Sequence, residues 1–278
     1  MTAYREWTAS DAASCISVPR ADDDKYSRGV IGIVTGSDSY PGAAVLGVEA
    51  ALRTGVGMVR YLGPQRPTEL VLQRRPEAVA SDGRVQAWLL GSGMDAAARD
   101  AASMRRLTDA LDQGLPTVID AGALDLLDRA KGPVVITPHL RELARVLGTE
   151  PGDLGDDPAA AARRAADRLG VTVLLKGHRT HVAAPDGTSL VTSVAPAWTA
   201  TAGTGDALGG VLGALLATHA SEVGADESLL ARLAATASVL HGLAAARASA
   251  GGPFVVLDLA RELPAVIAAL LSARPAPA

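Results

Sequence analysis

The 278-residue chain has one cysteine, Cys15, one phenylalanine, and three lysines among its 26 basic side chains. A single cysteine excludes an intramolecular disulfide and a multi-cysteine zinc site, and it fits a reducing, cytoplasmic setting. Aromatic residues make up 3% of the chain, which argues against the stacking platforms that hold single-stranded nucleic acid. The formal charge is −4, so no basic excess attracts nucleic acid or an anionic membrane. The longest apolar run, around 207–217, is short and glycine-containing. Residues 1–20 show no basic stretch followed by an apolar one, so neither a membrane span nor a leader is expected. No Gly-x4-Gly-Lys-Ser/Thr phosphate loop and no His-Glu-x-x-His zinc helix occurs.

What is present is a chain 48% hydrophobic and 20% charged, a composition that folds around a core. Residues 1–24 read as a polar lead-in and 275–278 as a tail. Between them short β-branched runs alternate with alanine- and leucine-rich stretches. Strands are expected at 30–35, 58–62, 87–90, 117–120, 134–137 and 171–175, with a hairpin at 180–184 and 189–194 around Pro185-Asp186-Gly187. Helices are expected at 43–53, 96–111, 138–147, 157–169, 203–217, 229–248 and 257–273. The alternation argues one domain with a mostly parallel sheet and helices on both faces. Ligands of such sheets lie at the carboxyl ends of the strands. That places the chemistry in loops 35–43, 91–95, 120–123, 137–142, 176–180 and 201–206.

Thr201-Ala202-Gly203-Thr204-Gly205-Asp206 runs straight into an apolar helix. Glycines before a helix let its free N–H groups close on an anion, so Gly203, Thr204 and Gly205 are candidates for an anion hole. Asp206 is then placed to take a proton from a nearby hydroxyl, although an aspartate at a helix start also serves as a plain cap. Lys176-Gly177-His178-Arg179-Thr180 ends a strand in a basic glycine turn: a phosphate site, or a hairpin turn with exposed cations. His178 and His181 lack a third metal ligand nearby. In Thr137-Pro138-His139-Leu140-Arg141-Glu142, Thr137 is a candidate cap and His139 a neutral hydrogen-bonding residue in the first turn. Glu142, and Asp120 at a strand end, are candidate Mg²⁺ ligands. Gly91-x-Gly93-x-x-Ala96 with Asp120 forms a loose dinucleotide fingerprint, but the spacing to the acid exceeds the usual one.

Taken in order, the segments Lys25–Gly29, Gly36-Ser37, Tyr40–Ala44, Ala50–Gly55, Leu90–Met94, Val118–Ala121, Thr137–His139, Leu175–Gly177 and Ala200–Asp206 resemble the NAD(P)H-hydrate dehydratase family of the ribokinase-like superfamily. The resemblance covers about residues 25–217. It implies a three-layer αβα sandwich and repair of the hydrated nicotinamide ring of NADH or NADPH with ADP or ATP as co-substrate, releasing AMP and phosphate when ADP is used. It implies Mg²⁺, a homotetramer, and a separate epimerase that supplies the S epimer. Carried residue by residue, it gives Ala43, Gly93, His139 and Asp206 as hydrate-binding positions. Lys176, Gly177, His178, Arg179, Thr180 and Gly205 become nucleotide-binding positions. The chain departs from the family pattern at Gly122, where a second Asp is usual, at Ser92, at Leu140-Arg141, and at Ala195–Trp198. A small-alcohol kinase of the same superfamily is the alternative. It shares the Gly-x-Gly-Asp element and accumulates a stable phosphorylated product.

Overall fold

The apolar runs are buried on both faces, and their alternate residues feed two separate cores. Ile31, Ile33, Leu89, Val118, Val135 and Leu174 point to one side. Val30, Val34, Leu90, Ile119, Ile136 and Leu175 point to the other. This is the period of two imposed by strand geometry. A computed structural model describes residues 4–226 and 228–274. The strands are β1 (Arg5–Glu6), β2 (Val30–Val34), β3 (Met58–Tyr61), β4 (Ala87–Leu90), β5 (Thr117–Ile119), β6 (Val134–Ile136), β7 (Thr172–Leu175), β8 (Thr180–Ala183) and β9 (Ser189–Thr192). They form one sheet in the order β1-β9-β8-β7-β6-β5-β4-β2-β3. From β2 to β7 all neighbours are parallel. β8 runs antiparallel to β7 and β9, and β1 is parallel to β9.

The helices are α1 (Ala9–Ser14), α2 (Pro41–Thr54), α3 (Gln65–Arg74), α4 (Ala101–Asp112), α5 (Leu140–Leu147), α6 (Pro158–Leu169), α7 (Thr204–Thr218), α8 (Ala220–Val223), α9 (Leu229–Ser249) and α10 (Val256–Ser272). Helices α2, α7, α9 and α10 contribute to the first core and α4, α5 and α6 to the second, so the sheet is the middle of three layers. The chain runs outward from β2 to β3, then crosses back to β4 on the other side of β2. That reversal opens a crevice at the carboxyl ends of β2 and β4, the position where open α/β sheets take ligands.

Several sequence expectations are corrected. The lead-in is part of the fold: Trp7 is buried and donates from Nε1 to Thr236 Oγ1 at 3.0 Å, and Ala12 and Ala13 join the first core. α3 falls in a stretch read as irregular; only Pro67 and Val71 are buried in it, too few to give a helical stripe. The helix expected from Ala96 is interrupted. A 3-10 turn at Ala96–Ala98 ends at Arg99, and Asp100 caps a new start by accepting from Ser103 N–H at 2.6 Å. A nine-residue 3-10 segment, Ala121–Arg129, follows β5 where no helix was expected. α2 begins two residues earlier than read, with Pro41 in its first turn. The tail at 275–278 lies outside the described residues. α9 is long and apolar enough to cross a membrane, but 78% of its most apolar window is buried within the protein; it is a core helix.

Glu49 sits in the middle of α2 with its side chain fully buried. Its carboxylate accepts from Arg53 Nε at 2.6 Å, from Arg74 Nε at 3.3 Å and from Arg75. Burial by itself would push its pKa up, but the guanidinium bonds from Arg75 and Arg53 outweigh it and bring the carboxyl down to about 2. The folded state therefore holds this proton less tightly than the unfolded chain. The stabilisation is complete above the ordinary value of 4.5 and is lost as pH falls toward about 2. Glu49→Gln is expected to cost about 3 kcal/mol at pH 7, from about 1.4 kcal/mol per pKa unit, and nearly nothing at pH 2. Urea unfolding at the two pH values measures the difference.

Candidate active site

Asp120 follows β5 and is 3% exposed. Its Oδ2 accepts from Ser92 Oγ at 2.9 Å, and its Oδ1 accepts from Thr137 Oγ1 at 2.8 Å and from Lys176 Nζ at 3.0 Å. Those donors stand at or just past the ends of β4, β6 and β7, so one carboxylate ties four adjacent strand ends together. A buried carboxylate must be satisfied in this way. Thr137 is thus a donor to Asp120 and not the cap of α5. That role falls to His139, whose Nδ1 accepts from Glu142 N–H at 3.2 Å while Glu142 Oε2 accepts from His139 N–H at 2.8 Å. With Nδ1 accepting, the neutral ring carries its proton on Nε2. The Lys176 N–H donates to the Pro138 carbonyl at 2.9 Å, which fixes the basic turn beside the start of α5.

Lys176 Nζ also lies 3.7 Å from Glu142 Oε2. Burial works against its charge, but the carboxylates of Asp120, Glu142 and Asp206 more than compensate, and its pKa is raised. It remains an ammonium at neutral pH. Across from it begins α7. A Cβ on Gly205 would stand 3.5 Å from Lys176 Nζ, so the helix start and the cation adjoin. The N-cap of α7 is Gly203 with φ +95°, no side chain caps the helix, and a Cβ at Gly203 would meet Leu46 Cδ1 at 2.5 Å. Only glycine suits both the backbone angle and the space. Asp206 makes no capping bond, which removes the plain-cap reading. Burial, and then the charge of Asp120, push its pKa up to about 7, with Lys176 pulling the other way.

Two clefts flank this cluster. One, of about 650 Å³, is lined by Tyr40, Gly93, Asp95, Gly122 and Glu142. The other, of about 720 Å³, is lined by His139, Lys176, Gly177, His178, Thr180 and Gly205. Both fall in the size range of small-ligand sites. Ala43 lies behind Gly93, where a Cβ on the glycine would strike it. Arg179 is exposed and lies outside both linings. His181 turns away from His178 and packs edge-on against Tyr4, with ring centroids 5.3 Å apart. Among the described residues no group of three or more His, Cys, Asp and Glu side chains could hold a metal ion. Asp120, a candidate for Mg²⁺ or a ligand hydroxyl, accepts from Ser92, Thr137 and the Lys176 ammonium.

Gly91-x-Gly93 does not open a helix, and Asp120 is bonded to Ser92 within the same loop pair. The dinucleotide-fingerprint reading is therefore dropped. The departure at Gly122 has a packing cause. A Cβ there would overlap the Met94 carbonyl, and Arg99 Nη1 donates to the Gly122 carbonyl at 2.8 Å. Loop 91–95 closes directly onto the 3-10 segment, in space that a larger residue would fill. The sequence reading missed Ser238 and His241, which reach the second cleft from α9. They lie in a continuous apolar helix, without a local motif to mark them.

The fold and the site define an αβα protein of ribokinase-like fold whose glycine turn, lysine and aspartate meet at the sheet's carboxyl edge. The chain belongs to the NAD(P)H-hydrate dehydratase family, whose sequence model matches residues 31–263. It is 45% identical over 222 residues to the bifunctional NAD(P)H-hydrate repair enzyme Nnr of Mycobacterium tuberculosis, covering 76% of this chain. The chain spans 45% of that relative's length. It is 33% identical to the ADP-dependent (S)-NAD(P)H-hydrate dehydratase of Neisseria meningitidis, covering 93% of this chain and 86% of that protein. The crystal structure of the ADP/ATP-dependent NAD(P)H-hydrate dehydratase from Bacillus subtilis, co-crystallized with ATP/Mg²⁺ and soaked with CoA, superposes with a TM-score of 0.81. That match has 26% identity and covers 96% of this chain and 99% of that one.

Asp120→Ala strands the Lys176 ammonium and leaves two buried hydroxyls without their acceptor. It is expected to cost about 3–5 kcal/mol, the usual result of breaking a buried ion pair. Thr137→Val, which removes one donor, is expected to cost about 1–2 kcal/mol. Denaturant unfolding of the two variants ranks them.

Proposed function

We propose that the chain restores NADH and NADPH from the S epimers of their hydrates, using a nucleoside phosphate, with ADP as the donor. The observation that carries this is Asp206, whose carboxyl is pushed up to about 7, beside the Lys176 ammonium at an uncapped helix start; Asp206 itself lines neither cleft, but its neighbours Gly205 and Lys176 line the second. The Neisseria relative is an ADP-dependent (S)-NAD(P)H-hydrate dehydratase and the Bacillus one an ADP/ATP-dependent NAD(P)H-hydrate dehydratase, which supports the substrate and the donor.

In this reading the hydrated dinucleotide occupies the cleft lined by Gly93 and Glu142. The nucleotide occupies the one lined by Gly177, His178 and Thr180. Asp206 takes the proton of the ring hydroxyl. The oxygen attacks the terminal phosphoryl group of ADP, and the bond to AMP breaks. Lys176 and the first-turn amides of Gly203–Gly205 hold the charge spread over the transferring oxygens. The ring phosphate ester then departs as phosphate with the electron pair of its C–O bond, and the adjacent ring carbon gives up a proton as the double bond re-forms. The chemical gain is in the leaving group, because phosphate departs far more readily than hydroxide. His139, expected among the hydrate-binding positions, lines the nucleotide cleft, where its Nε2 is a donor.

A protein-held Mg²⁺ cage does not fit a site whose central cation is Lys176. An ion accompanying the nucleotide would fit, with Glu142 the residue to hold it, and would supply charge neutralisation there. A separate epimerase supplying the substrate, and a homo-oligomeric assembly, belong to the same proposal.

Purified protein with hydrated NADH, Mg²⁺ and ADP should restore the reduced-nicotinamide absorbance, and no rise should occur without nucleotide. A stable phosphorylated alcohol in place of that rise would favour the kinase. Asp206→Asn is expected to lower turnover by about 10²–10⁴-fold, the range lost with a general base. In the wild type, kcat/KM should rise with pH through about 7. The fold holds this proton more tightly than the unfolded chain, so Asp206 withdraws stability as pH rises from 3.8 to about 7. The asparagine variant should therefore melt higher than the wild type at pH 8, the usual trade at a functional site.

A further inference from the structure

His241 is the buried titratable group that the mechanism above leaves unused. It lies on α9, is 8% exposed, and lines the 720 Å³ cleft with Ser238. Its Nε2 is 3.0 Å from the Thr204 carbonyl, in the first turn of α7. A carbonyl can only accept, so Nε2 carries the proton. Burial holds the ring's pKa down, to about 4, against the opposing effect of the Thr204 bond; the imidazole is neutral. A neutral ring protonated on Nε2 presents a lone pair at Nδ1.

No protein donor among the described residues reaches that lone pair. The nitrogens that are both unpaired and sealed from solvent lie elsewhere, on Arg28, Arg99, His181 and Arg232. Nδ1 of His241 therefore opens on the cleft. Such an acceptor repels phosphate oxygens and seeks a donor. On a nucleotide the donors are ribose hydroxyls and the amine of the base.

We propose that His241 recognises the nucleoside part of the co-substrate, accepting at Nδ1 from a ribose hydroxyl or the base amine while its Nε2–H anchors the turn that carries Gly205 and Asp206. This rests on the nucleotide reading above. It makes His241 a specificity residue, coupling recognition of the nucleoside to the position of the catalytic turn. A buried acceptor left without its donor is costly, so analogues lacking the donor should be rejected.

The test is calorimetric titration of the whole chain with ADP, 2′-deoxy-ADP, 3′-deoxy-ADP and inosine diphosphate. The wild type should bind one of the three analogues at least about tenfold more weakly than ADP, and the weak one identifies the donor. His241→Leu should bind ADP and that analogue equally. His241→Asn, which keeps a donor and an acceptor, should retain part of the gap and serves alone if the leucine variant does not fold. Equal binding of all four by the wild type overturns the inference, as does a full gap in the leucine variant. Absence of any ADP binding by the wild type overturns the nucleotide reading and this inference with it.

Discussion

A single buried carboxylate organises the carboxyl edge of the sheet in this protein. Asp120 takes hydrogen bonds from Ser92, Thr137 and Lys176, and so fixes the ends of four neighbouring strands relative to one another. Removing a carboxylate from water is expensive unless every part of it is satisfied. The price is met by drawing three loops inward onto one point. The resulting geometry is determined by electrostatics as much as by apolar packing, because the ammonium of Lys176 has only one well-satisfied place to sit.

The same arrangement sets the chemistry of Asp206. Its own desolvation and the fixed charge of Asp120 both oppose ionisation, and Lys176 only partly offsets them. Its pKa is raised to about 7, and it makes no capping bond at the start of α7. Anions entering between Lys176 and the start of α7 meet a raised-pKa ammonium and uncapped amides, both of which favour negative charge. The site therefore has a polarity: an acid that holds its proton up to about 7 on the Asp206 side and a fixed positive charge on the Lys176 side.

Packing beneath the turn makes this possible. Gly203 adopts a left-handed conformation against Leu46, and the small residues of α7 let it lie close to α2 and to β4. Far from the site, Glu49 and its three arginines hold the outer face of α2 to α3. That network is a second buried carboxylate satisfied by cations, but with its pKa displaced in the opposite direction from that of Asp206. The two acids diverge because one has guanidinium partners at bonding distance and the other faces a like charge.

The sequence by itself determined the parallel α/β architecture and marked the carboxyl edge of the sheet, with Gly203, Gly205, Asp206, Lys176 and His139 as candidates on it, because glycine turns and strand-ending polar residues are local signals. It also carried the family resemblance, since that rests on ordered short motifs. Only the tertiary structure decided what those residues do to one another. Asp120 was legible as a polar strand end, but its use as an internal tie depends on donors 28, 17 and 56 residues away. The cap of α5 moved from Thr137 to His139 for the same reason. α3 and the 3-10 segment after β5 escaped notice because few of their residues face a core, and the lead-in because its anchor, Trp7, meets its partner Thr236 across nearly the whole chain. His241 was invisible in an apolar helix. Its role follows from contact with Thr204, and periodicity cannot encode a contact between distant segments.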